Sequence, residues 1–220
     1  MCLPIRNFKS NKNSKQSSSL SSEIASISKM ASIRPHAQLP APRLVVTGHT
    51  KGGSSIFASD TVVPQFHPFG PAGSGFSNFH SSETVPVSNV LPIPDLGNVL
   101  PRCPPAGVNF GISDFAPNGR SPMHRTISAD YAIVLEGEII LSLDSGEKKT
   151  IRKGEFILQR GTNHEWINPS SEVTCRILFV MIGAEKIVLG DGTALEPGPP
   201  AACWPGGSGR LRAQASHGGW

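Results

Sequence analysis

Between Val108 and Ile182 the chain reads as eight short β-favouring runs with no helix-period segment between them. The runs are Val108–Phe115, Met123–Thr126, Tyr131–Leu135, Glu138–Leu143, Lys149–Ile151, Glu155–Gln159, His164–Asn168 and Val173–Ile182. Turn signals such as Glu136-Gly137 and Asp144-Ser145-Gly146-Glu147 separate them. Short strands at this spacing predict an all-β sandwich or barrel. The composition agrees: only 16% of residues are charged, and 23 Gly and 20 Pro suit turns rather than helices. No apolar run approaches the length of a membrane span, so no membrane partner is expected.

The rest of the chain divides into three parts around that barrel, which is placed at 108–190. Residues 1–42 are basic, Ser-rich and poor in large apolar groups, and they read as a disordered tail. A misassigned start, with translation beginning at Met30, is an alternative ranked beside disorder and above an organellar transit peptide. Residues 43–107 read as a hairpin followed by a Pro/Gly-rich arm. Leu44-Val45-Val46 and Ser55-Ile56-Phe57-Ala58 would pair across the Gly-rich turn 48–53, and further strands are expected near Phe76–Phe79 and Thr84–Val87. Residues 191–220 read as a second disordered tail, with the look of read-through past a splice site.

Charge argues against nucleic acid. Up to Arg43 the chain carries seven Lys or Arg against Glu23 alone, which is +6, so a total of +4 leaves −2 for the remainder. Such a solvated tail, with no aromatics interleaved except Phe8, is no nucleic-acid surface. Cys2, Cys103, Cys175 and Cys203 show neither zinc-knuckle nor disulfide spacing. Cys175 reads as a buried small hydrophobe, and a reducing, cytoplasmic setting is expected.

The chemistry concentrates on two histidines. Side chains two apart on a strand share a face. His124 and Thr126 therefore face together, joined by Asp130 if the strand runs on unbroken; His164, Trp166 and Asn168 share a face on the second segment. Both faces turned into a barrel would gather His124, Asp130 and His164, with Thr126 and Trp166 beside them. Two imidazoles and a carboxylate suit non-haem iron, manganese or catalytic zinc. Trp166 reads first as barrel filling and second as a stacking wall for a flat substrate. Tyr131 is expected in the core, Arg125 at the surface or a dimer contact, and Arg160 bracing its turn. His36, His49, His67, His80 and His217 have no partner at metal spacing and receive no role.

The region Asn118–Ile182 resembles a cupin of the small single-domain type. Cupin motif one, G-x5-H-x-H-x3–4-E-x6-G, is matched at His124, Asp130 and Gly137; motif two, G-x5-P-x-G-x2-H-x3-N, is matched at Gly154, Gly161, His164 and Asn168. Thr126 stands where the second histidine belongs, Asp130 where glutamate belongs, and Arg160 where motif two has proline. Gly119 is one residue too close to His124, and motif two is one residue short. The resemblance implies a jelly-roll barrel with an extended N-terminal arm and a divalent metal (Fe, Mn or Zn) on His124, Asp130 and His164. More narrowly, Met123-His124-Arg125-Thr126, Asp130-Tyr131, Gln159–Trp166 and the leader Arg43–His49 resemble the cupin-domain oxidoreductases of fungal polyketide clusters. That subgroup implies a small aromatic or polyketide-derived substrate and work beside short-chain dehydrogenases.

Three readings follow. In the first, a metal on His124, Asp130 and His164 polarises or oxidises substrate. In the second, the barrel is metal-free and His124 and His164, with Asp130, act as general acid and base in isomerisation, dehydration or decarboxylation. In the third, the barrel only binds a ligand. All three keep Thr126 and Trp166 as substrate contacts. No dinucleotide fingerprint is present, so no cofactor-binding residue is assigned and nicotinamide chemistry is left to a partner enzyme. A homodimer is expected from the open sheet edges of a small jelly roll and the wrapping arm.

Overall fold

A computed structural model describes residues 38–70, 73–90 and 92–198; of the two expected tails, 1–37 and 199–220 lie outside them, while 191–198 is tied back by Leu195 N–H on the Ile187 carbonyl and Gly198 N–H on that of Arg125. Ten strands account for the regular structure, and no helix occurs among the described residues. β1 (Arg43–His49) and β2 (Ser55–Val62) form the expected hairpin. The other eight are β3 (Gly75–Ser82), β4 (Val108–Phe115), β5 (Ser128–Glu136), β6 (Glu138–Leu143), β7 (Lys148–Arg152), β8 (Phe156–Arg160), β9 (His164–Ile167) and β10 (Cys175–Gly183). They pair antiparallel as one sheet in the order β3-β4-β10-β5-β8 and another in the order β7-β6-β9. This is the expected all-β jelly-roll barrel. It begins earlier than residue 108, because β3 comes from the segment read as arm and pairs along β4.

One residue turns the chain from the first sheet to the second. Gly137, between β5 and β6, has φ 71°, and a Cβ there would lie 3.2 Å from the Thr174 carbonyl oxygen. A left-handed corner pressed against neighbouring backbone takes glycine at least cost.

Period-two alternation then decides what is inside. On β5, Asp130, Ala132 and Val134 are buried while Tyr131 and Leu135 face water; on β10, Cys175, Ile177, Phe179 and Met181 are buried. Val134, Ile139, Ile151 and Cys175 close one end of the barrel as a packed core, with Trp166 against it. Each such side chain contributes roughly 1.5–3 kcal/mol by leaving water. The other end stays open, so Asp130, Phe179 and Met181 line a cavity instead. Tyr131, expected in the core, is 51% exposed, since its parity is opposite to that of Asp130 and Ala132.

Two expected strands are absent. Thr84–Val87 makes only a single bridge, Thr84 to Ala106. Met123–Thr126 is likewise no strand: it touches β9 through one isolated bridge, His124–His164, with a second bridge upstream at Arg120–Ile167. Pro122 explains the break, because it has no N–H to continue a ladder. Ser121 covers for it, its N–H donating to the Trp166 carbonyl and its Oγ accepting from the Trp166 N–H, each at 2.9 Å.

Candidate functional site

The segment 118–124 runs antiparallel beside β9, tied at Asn118–Ser170, Gly119–Asn168 and His124–His164. At the last of these, each histidine N–H donates to the other's carbonyl oxygen at 2.8 Å. Directly opposed residues put their side chains on one side of the ladder. The two imidazoles accordingly lie with ring centroids 4.3 Å apart, tilted by 48°.

Each ring is also fixed by a local carbonyl. His124 Nδ1–H donates to the Pro122 oxygen at 2.8 Å, and His164 Nδ1–H to the Thr162 oxygen at 2.9 Å. In the neutral rings this places the lone pair on Nε2. Burial favours that neutral form: it lowers His124 below the ordinary histidine range, and burial together with the His124 charge lowers His164 to about 4. His164 is 1% exposed, with the edge of Trp166 5.6 Å away, centroid to centroid.

Asp130 goes elsewhere. The uninterrupted strand that would align it with His124 is broken at 125–127, and its carboxylate accepts hydrogen bonds from Ser128 Oγ at 2.5 Å, Gln159 Nε2 at 2.9 Å and Thr126 Oγ1 at 3.4 Å. Gln159 spends its amide on this bond and leaves its own Oε1 buried without a partner. Burial pushes Asp130 above the usual carboxylate range against the lowering effect of these donors. Among the described residues, no three His, Cys, Asp or Glu side chains form a group that could hold a metal ion. The residues present therefore do not fit a centre with three protein ligands. The structure joins His124 to His164 and keeps Asp130 as an acceptor on the same cavity wall.

The cavity has a volume of about 1100 Å³ and takes in His124, Thr126, Asp130, His164 and Trp166, all five residues singled out by sequence. Trp166 packs on the core, as expected, and also lines the cavity. Arg125 is half-buried on the cavity wall, where it donates to the carbonyls of Gly161 and Glu196, rather than standing at the surface. Arg160 is exposed. Asn168 is a brace: its buried Nδ2 reaches the carbonyls of Phe115, Ala116 and Val173. Sequence reasoning missed Ser121, Ser128 and Gln159, whose roles depend on which strand lies opposite. It also missed Arg120, which binds Glu165 with both Nε and Nη2 at the rim. His36 and His217 fall outside the described residues.

Comparison with known proteins agrees with this geometry. The cupin-domain family Cupin_2 matches residues 111–181, the stretch that carries both histidines. Phomopsin biosynthesis cluster protein C' of Diaporthe leptostromiformis is 37% identical over 167 residues, spanning 72% of this chain and 86% of that protein. The cupin-domain-containing oxidoreductase virC of Hypocrea virens is 34% identical over 152 residues, spanning 66% and 78%. A cupin-domain-containing oxidoreductase of Neurospora crassa, srdD, is 32% identical over 158 residues, spanning 69% and 80%. With strands, paired histidines and relatives in agreement, the chain belongs to the cupin family.

Proposed function

We propose that this cupin is an enzyme of secondary metabolism, acting on a small aromatic or polyketide-derived intermediate through the His124–His164 pair. The observation that carries the reading is the fixing of both Nδ1–H groups by backbone carbonyls on the wall of a large cavity. Two neutral imidazoles so held present basic nitrogens to a substrate. The relatives named as oxidoreductases in biosynthetic clusters support the setting. The residues of this chain supply the proton half of such chemistry: an imidazole Nε2 takes the proton of a substrate hydroxyl or of a C–H beside a carbonyl. His124 is the better base, because a catalytic pKa works best near the operating pH and His164 is held near 4. Trp166 offers its face to a flat substrate, and Thr126 shares the wall.

Hydrogen–deuterium exchange at the α-carbon of enolisable aryl ketones, followed by NMR, tests this reading. The wild-type chain is expected to catalyse exchange, His124→Gln to slow it by roughly 10²–10⁴-fold, and a chelator to leave it unchanged. Exchange that survives in both His124→Gln and His164→Gln would overturn the assignment.

A second reading is favoured by one observation. Histidines that ligate metals usually have the other ring nitrogen donated to a carbonyl or carboxylate, as both do here. A divalent metal would then rest on the two Nε2 atoms alone, completed by non-protein ligands. Stoichiometric Fe, Mn or Zn in the purified chain, lost on His164→Gln, would move the assignment to this reading.

We further propose a homodimer in a reducing, cytoplasmic setting. Cys103 and Cys175 are free thiols, which supports the setting. Phe57, Val62 and Val45 on the hairpin, and Phe156 and Leu158 on the edge strand β8, are large apolar side chains open to water, which supports pairing of two copies.

A further inference from the structure

Among the described residues four cations line the cavity, and three are spoken for. Arg120 is paired with Glu165; Arg125 donates to two carbonyls and lies 4.0 Å from Asp144; Lys186 holds Glu196 at 2.9 Å. Arg102, exposed where it lines the same cavity, has neither a hydrogen bond nor an ion pair with any described residue. The anions of the cavity are equally committed, Glu165 to Arg120 and Asp130 to its three donors. Beside Arg102, the Cys103 thiol is pushed up to about 11 by burial and by the Asp130 charge, so it stays neutral and offers no counter-charge.

The backbone under Arg102 is firmly seated. A Cβ on Gly107 would lie 1.9 Å from the Ser82 carbonyl oxygen, and one on Gly183 would lie 2.2 Å from that of Pro105. Only glycines allow the chain to cross its neighbours this closely. Val85 N–H donates to the Ala106 carbonyl and Asn78 Nδ2 to that of Val99, which ties down both ends of the segment. Pro101, Pro104 and Pro105 fix φ along it. The seated backbone fixes where the Arg102 side chain starts, while its own rotamers are ordered only by what it binds.

Resting on the proposed reading of the cavity, we propose that Arg102 sets its specificity, taking a carboxylate on a substrate whose flat apolar body lies along Trp166 and the neighbouring phenylalanines. Phe69, Phe76, Phe115 and Phe179 supply that apolar wall. The planar fork of an arginine matches a carboxylate in bidentate fashion, and among the described residues no acid competes for it.

Titration of the full-length chain with 1-naphthoate and with its neutral methyl ester, by calorimetry, tests the proposal. The wild type is expected to bind the acid at least about tenfold more tightly than the ester, and more weakly as salt rises. Arg102→Gln should remove the preference without weakening the ester; Arg102→Lys should keep part of it. Equal binding of acid and ester by the wild type, or a preference that survives Arg102→Gln, overturns the role of Arg102 alone. No binding of either probe overturns the cavity reading with it. Retained exchange activity in the histidine variants would fail the functional reading while leaving the naphthoate preference in place.

Discussion

Two arginine–aspartate forks of nearly the same geometry stand in very different surroundings. In the barrel, Arg176 on β10 grips Asp114 on β4 with two bonds of 2.7 Å, the side chains 13% and 6% exposed. In the hairpin, Arg43 grips Asp60 with two bonds of 2.6 Å, the side chains 68% and 48% exposed. Bond lengths alone would rank them equal. Environment does not: the exposed pair is screened by water and salt, whereas either member of the buried pair would be an uncompensated charge without the other. The same divide runs through the two regions as wholes. β5 and β10 alternate buried and more open side chains and β4 is largely buried, while every residue of β2 is exposed.

The largest effect is expected from breaking the barrel fork. Asp114→Ala should lower unfolding free energy by about 3–5 kcal/mol in urea titration. Asp60→Ala should leave the midpoint where it was. Equal shifts in the two variants would break the comparison.

Titration should give the next effect. His164 is held near 4 against an ordinary value of 6.5. The unfolded chain therefore takes up its proton first as pH falls, so this group's contribution is full above about pH 6.5 and is lost down to about pH 4. The loss should be on the order of 2–3 kcal/mol, and His164→Asn should flatten it. Asp130 acts in the opposite sense: its raised value favours the fold below the ordinary carboxylate pKa, and that advantage fades as pH rises. Acid unfolding profiles that coincide for wild type and His164→Asn would remove the histidine from this account.

The smallest effect on fold stability, and the clearest on assembly, belongs to the exposed apolar side chains of the hairpin and of the barrel's edge strand β8. Phe57→Ser and Phe156→Ser should each change unfolding free energy by less than about 0.5 kcal/mol. They should also convert a sedimenting dimer to a monomer. A monomeric wild type would dispose of the homodimer.

Much of this was legible in sequence, because period-two alternation and glycine turns act locally. The ranges of β4 and β6 follow directly from their residues, and the β5–β6 corner from Gly137. What was not legible depends on partners distant in the chain. Tyr131 reads as core until parity with Asp130 and Ala132 is fixed by β10 on one side and β8 on the other. The reach from His124 to Asp130 reads as one strand until the chain is seen to leave the ladder at 125–127. Asp130 reads as a ligand until Ser128 and Gln159 claim its oxygens. That Arg102 has no partner among the described residues carries no sequence signal at all, since it is a property of everything around it.

The mutual backbone bonds between His124 and His164 leave the frame indifferent to what the side chains are. Positions 124 and 164 behave as sockets, held by amides that any residue but proline supplies. The two imidazoles are thus separate parts on a fixed mount. A barrel built this way can exchange one set of reactive groups for another without refolding, and belonging to its family foretells shape far better than reaction.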